Sequence, residues 1–144
     1  MRILLVEDDQ KHREELQRSL GHAKGPCPRC VLPVTFEVET ADSVEQARQQ
    51  IVERGYDFIL LDLTMSGELE AAKLLPLLEE LCIPYAFYAE TPDKVKEKSA
   101  PIWQKTTHIR MDLVTKISDH YHSYVKDRQR NLSKSGRFCL GRAL

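Results

Sequence analysis

The sequence predicts an α/β protein built on a doubly wound, five-stranded parallel sheet. Three observations lead there. Residues 3–6 and 58–61 are short, unbroken apolar runs, the pattern of strands covered on both faces. Segments with apolar residues at helical spacing separate the strand-like stretches, so strand and helix alternate five times and right-handed crossovers place helices on both sheet faces. Finally, both apolar runs stop at carboxylates, Glu7-Asp8-Asp9 and Asp62, at the strand ends where open parallel sheets bind ligands.

The 144 residues are enough for one domain with a full core. A formal net charge of −1 argues against a general nucleic-acid or membrane binder. No apolar run has the length of a membrane span, and the chain enters a strand at once without a signal peptide, so the expected location is the cytoplasm. In a reducing compartment Cys27, Cys30, Cys82 and Cys139 are expected as thiols or metal ligands rather than a disulfide framework.

After the first strand, residues 11–20 read as a helix, with Asp8 or Asp9 available as N-cap and Leu16 and Leu20 on its inner stripe. Residues 21–34, punctuated by Gly21, Gly25, Pro26, Pro28 and Pro33, cannot continue that helix and are longer than such connections need, which marks an insertion. Within it, Cys27 and Cys30 have the spacing of half a zinc site, with His22 as a third ligand. A plain loop with two thiols and a redox pair are the other readings.

Residues 35–39 alternate apolar and polar, as a strand near the sheet edge does. Ser43 and Gln46 have capping-box spacing, and Val44, Ala47 and Ile51 share one helical face up to Gly55. The strand carrying Asp62 follows. Residues 68–81 read as a helix in which Pro76 either introduces a kink or starts a second, shorter helix. Residues 83–89 form the fourth strand, residues 91–99 only a short helical segment, and residues 101–105 the fifth strand, with Trp103 either covering the sheet or packing outward on a partner surface. From about residue 110, Leu113, Ile117 and Tyr121 mark a long amphipathic helix. His108, His120 and His122 are assigned no chemistry. Residues 126–144 carry six basic residues against one acid, a tail that is either a frayed extension or a basic arm for an acidic partner or nucleic acid.

Parallel strands that deliver Asp8 and Asp62 to one sheet edge gather like charges that call for a cation. Oxygen donors in a half-open site suit Mg²⁺ or Mn²⁺. A carboxylate neutralised in this way can act as a nucleophile toward phosphorus.

Glu7-Asp8 after the first strand and Asp62-Leu63-Thr64-Met65-Ser66-Gly67 after the third resemble the receiver domain (CheY-like) of two-component response regulators over residues 1–125. The resemblance implies a flavodoxin-like sheet of order 2-1-3-4-5, with the insertion after the first helix and a shortened fourth helix. It implies a site in which Asp62 is the phosphoacceptor. Asp8, Asp62 and the backbone carbonyl of Thr64 hold Mg²⁺, Glu7 acts through water, and Lys105 clamps a phosphoryl oxygen. It also marks departures. Counted from Pro84, the family's hydroxyl position falls on Ala89 and the hydroxyl is lost. Thr91 is a substitute from two residues on, and Tyr88 matches if the count slips by one. Ile102 stands where the family often has a switching aromatic, and Thr106 where Pro usually follows the Lys.

The implied function is a receiver, residues 1–125, without a separate output domain in residues 126–144. It takes a phosphoryl group from a histidine kinase or phosphotransfer protein and signals by docking to a downstream partner, with a second copy of the chain also admitted as partner. It is not an enzyme, any autodephosphorylation being incidental. The alternative is a pseudo-receiver, an interaction module independent of phosphorylation, favoured by Ala89, Ile102 and the short helical segment. A hydrolase of the aspartyl-phosphate class expects a second Asp two residues after the nucleophile, where Thr64 stands.

Overall fold

The computed structural model describes residues 1–21, 35–62, 71–89, 100–104 and 110–135. Five parallel strands form one sheet: β1 (Arg2–Val6), β2 (Glu37–Ala41), β3 (Phe58–Asp62), β4 (Tyr85–Ala89) and β5 (Ile102–Gln104). Their spatial order is β2-β1-β3-β4-β5, as the sequence leads one to expect. The described helices are α1 (Gln10–Gly21), α2 (Val44–Arg54), α3 (Leu75–Glu80) and α4 (Arg110–Ser135).

The central strands are apolar without alternation because both of their faces are covered. Leu4, Val6, Ile59, Leu61 and Phe87 pack into one layer with Ala47 and Ile51 of α2 and Leu75 and Leu78 of α3. Ile3, Leu5, Phe58, Leu60 and Ala86 point the other way, into a layer with Leu20 of α1 and Leu113, Val114 and Ile117 of α4. The edge strand β2 is only partly buried over most of its length, which explains its polar alternation. It begins two residues later than the sequence pattern suggests.

Local chemistry sets the element ends. Asp9, rather than Asp8, caps α1: its Oδ1 accepts from the His12 N–H at 3.0 Å. Ser43 Oγ accepts from the Gln46 N–H at 3.1 Å, while Gln46 Oε1 accepts from the Asp42 N–H at 2.7 Å, a capping box displaced by one residue at its return bond. Gly55 ends α2 at φ 76°, a conformation open to glycine. Pro76 lies in the first turn of α3, so of the two readings of residues 68–81 the proline starts a short helix.

That helix ends in a Schellman motif, with the Ile83 N–H donating to Leu78 O at 2.9 Å and the Cys82 N–H to Glu79 O at 3.2 Å. The position that normally takes glycine is Cys82, at φ 56°. Cys82 is disulfide-bonded. The expectation of thiols or metal ligands fails at this cysteine.

Of the two readings of Trp103, it covers the sheet. Its ring stacks parallel to Phe58 at 6.1 Å, and the small Ala86 on the intervening strand leaves room for the pair. The edge of His120 meets both rings, at 5.8 Å and 6.4 Å. α4 continues past residue 125 to Ser135, so the basic stretch begins as helix. Among the described residues no helix is long and apolar enough to cross a membrane.

Candidate functional site

The site is built where β1 and β3 end side by side. Val6 pairs with Leu61, so Glu7 and Asp62 come next along the two strands at one edge of the sheet. The Glu7 N–H still donates to Ala41 O of β2 at 3.0 Å, which fixes the backbone one residue beyond the strand. Arg13, one turn into α1, then holds the acidic turn from behind: its Nη1 donates to the carbonyls of Glu7 at 3.1 Å and Asp8 at 3.4 Å. Asp9 turns away to cap α1, and its own N–H donates to Glu7 Oε1 at 3.2 Å. The acidic triplet in the sequence therefore divides: Asp9 starts the helix, while Glu7 and Asp8 remain with Asp62.

Carboxylate oxygens of Glu7, Asp8 and Asp62 lie within 4.8 Å of one another, the one such three-residue group among the described residues. Glu7 and Asp62 are fully buried, and Asp8 is exposed. Two buried carboxylates at that range repel by roughly 3 kcal/mol even at an effective dielectric of about 20. The donor set is all oxygen and one side of it faces solvent, which suits a hard divalent cation that keeps waters. Ligands about 2.1 Å from an ion lie up to about 4.2 Å apart, so a small contraction of this cluster would seat Mg²⁺.

Asp62 has Tyr88 beside it. The two are register partners across β3 and β4, so their side chains share a face of the sheet. Ala89 belongs to the opposite layer, 2% exposed among the residues that pack on α2 and α3. Register therefore sets Tyr88 beside Asp62 on one face of the sheet, while Ala89, where the count from Pro84 places the family's hydroxyl, lies on the other. Burial first, then the charges of Glu7, Asp62 and Glu15, push the Tyr88 phenol up to about 12. Thr64, Thr91, Lys105, Cys27 and Cys30 lie outside the described residues. Ile102 packs against the α2 and α3 layer.

Forty-six chains of known structure match this fold. The N-terminal domain of a response regulator/sensory box/GGDEF protein from Carboxydothermus hydrogenoformans superposes with a TM-score of 0.67 at 18% identity, over 89% of this chain and 99% of that one. The chain has the receiver-domain fold of two-component response regulators. A CheY-like receiver domain from Methanospirillum hungatei gives a TM-score of 0.66 at 19% identity, over 88% and 97% of the two chains. The response regulator TrrA from Thermotoga maritima, in complex with Mg²⁺ and BeF, gives 0.58 at 19%, over 91% and 97%. No protein-family model matches the sequence, and no curated protein matches it. The receiver likeness is thus carried by topology and by the acids at the ends of β1 and β3.

Proposed function

We propose that this protein is a phosphoacceptor receiver of a two-component or phosphorelay system, with Asp62 as the residue that takes the phosphoryl group. The observation that carries this reading is the meeting of Glu7, Asp8 and Asp62 at the strand ends of a receiver fold. An Asp62 carboxylate oxygen forms a bond to phosphorus as the phosphorus–nitrogen bond of a phosphohistidine donor breaks. The electron pair leaves with the imidazole, which takes a proton from solvent. Asp8 and Asp62 would hold Mg²⁺ with the Thr64 carbonyl, and Glu7 would act through water. The ion would supply charge neutralisation between the carboxylate and the incoming phosphoryl group. Lys105 is assigned to a phosphoryl oxygen as a compact cation. Glu7 and Arg13 position the acidic turn without touching the donor.

The donor is a histidine kinase or phosphotransfer protein, and the output is a population shift of the face that includes β5 and α4, read by a downstream protein. Hydrolysis of the acyl phosphate is incidental, and the expected setting is the cytoplasm. The full burial of Asp62 favours a second reading, an interaction module of the same fold that works without phosphorylation. Intact-protein mass spectrometry separates them. Incubation with a small phosphodonor should add one phosphoryl group in the presence of Mg²⁺, none in EDTA, and none in Asp62→Asn. An unmodified wild-type chain would favour the module.

A further inference from the structure

The sheet ends in two edge strands of different length. β5 has three residues, a short template for any added strand, whereas β2 has five. The Glu37 N–H donates to Met1 O at 2.9 Å, and Ala41 O accepts from the Glu7 N–H at 3.0 Å. With the β1–β2 register, this sets the backbone groups of Glu37, Glu39 and Ala41 toward β1 and those of Val38 and Thr40 outward. Both outward carbonyls are taken. Gln17 Nε2 of α1 donates to Val38 O at 3.1 Å, and Gln50 Nε2 of α2 donates to Thr40 O at 3.3 Å. α1 and α2 cover opposite faces of the sheet, so the two glutamines grip the edge from both sides. The outward N–H groups of Val38 and Thr40 have no partner among the described residues.

We propose that Gln17 and Gln50 close this edge to a second copy of the chain, whose own β2 would otherwise add to it. Two identical edge strands pair antiparallel about a two-fold axis, each offering its outward groups to the other. The register that overlaps the whole strand sets Val38 opposite the partner's Thr40 and Glu39 opposite the partner's Glu39. Every hydrogen bond of that pairing ends on a Val38 or Thr40 carbonyl, where a glutamine amide already sits. Facing acids oppose the pairing as well, but only in part. Glu39 is balanced within its own chain by Arg54 at 2.6 Å and Arg2 at 3.5 Å, so charge alone leaves the edge open and the glutamines complete the block.

The test compares the full wild-type chain with a variant carrying both Gln17→Ala and Gln50→Ala. Sedimentation velocity over a range of concentrations gives the state of association, and amide hydrogen exchange at Val38 and Thr40 reports whether the contact lies on this edge. The double variant should associate one step further than wild type. As it does so, its Val38 and Thr40 amides should exchange about tenfold or more slowly, because they then donate across the edge. Both amides should stay fast in wild type at every concentration. A double variant that sediments like wild type overturns the proposal, as does association that leaves those amides fast. Slow exchange of the two amides in an associated wild type overturns it too. Should the double variant fail to fold, Gln17, which is exposed, is replaced alone. Gln17→Ala frees the Val38 carbonyl and should give the same two signs at higher concentration, and their absence refutes the block.

Discussion

The buried carboxylates of Glu7 and Asp62 stand one register step beyond the Val6–Leu61 pair, within 4.8 Å of each other and of exposed Asp8. Without a cation this arrangement is held against its own repulsion, so removing one charge should stabilise the metal-free protein. Asp62→Asn is expected to gain about 1 kcal/mol in EDTA, or about 3–5 °C in Tm for a domain of this size. Mg²⁺ should raise the Tm of the wild type and leave that of the variant nearly unchanged. Differential scanning calorimetry reads both effects, and a variant less stable than wild type in EDTA would argue that the acids do not repel.

Helix α2 depends on a cap that can be removed without touching the site. The Ser43 Oγ satisfies the Gln46 N–H, which otherwise has no partner within the first turn. Ser43→Ala should cost about 1 kcal/mol in urea unfolding. Its Mg²⁺ affinity should match that of the wild type, since α2 lies on the face away from Asp62.

His120 gives the fold a pH dependence of definite sign. Burial lowers its pKa below the ordinary 6.5, only partly opposed by the bond to the Tyr85 carbonyl and by Asp119. A carbonyl only accepts, so the bond at 3.1 Å requires the proton on Nε2. The unfolded chain therefore takes up a proton near pH 6.5 while the folded chain resists. Stability from this group is complete above pH 6.5, declines as pH falls from there toward the folded value, and declines no further below it. Urea midpoints across that interval should fall more steeply for wild type than for His120→Gln. Parallel curves would assign the pH dependence to other groups.

Much of this was legible in the sequence because the governing patterns are local. Residues 3–6 and 58–61 announce doubly covered strands, Ser43 and Gln46 announce a cap, and Pro76 announces a break that is either a kink or a helix start. Asp8 and Asp62 could be singled out because each ends an apolar run. Tyr88 was harder: its place beside Asp62 depends on the β3–β4 register, which no count along one strand contains. Cys82 was hidden for a similar reason. Its left-handed backbone follows from where α3 must stop to let β4 enter the sheet, and glycine, the usual signal for that stop, is absent. The stacking of Phe58 on Trp103 is also a matter of strand order, two residues far apart in the chain brought over one small alanine.

The most direct measurement is isothermal titration of Mg²⁺ into the wild-type chain, Asp8→Asn and Asp62→Asn. One saturable site is expected in the wild type, weakened about tenfold or more by either substitution, since the carboxylates of β1 and β3 would share one ion. No saturable binding to the wild type, or an affinity that survives both substitutions unchanged, would contradict the shared-ion site on which the phosphoacceptor reading stands.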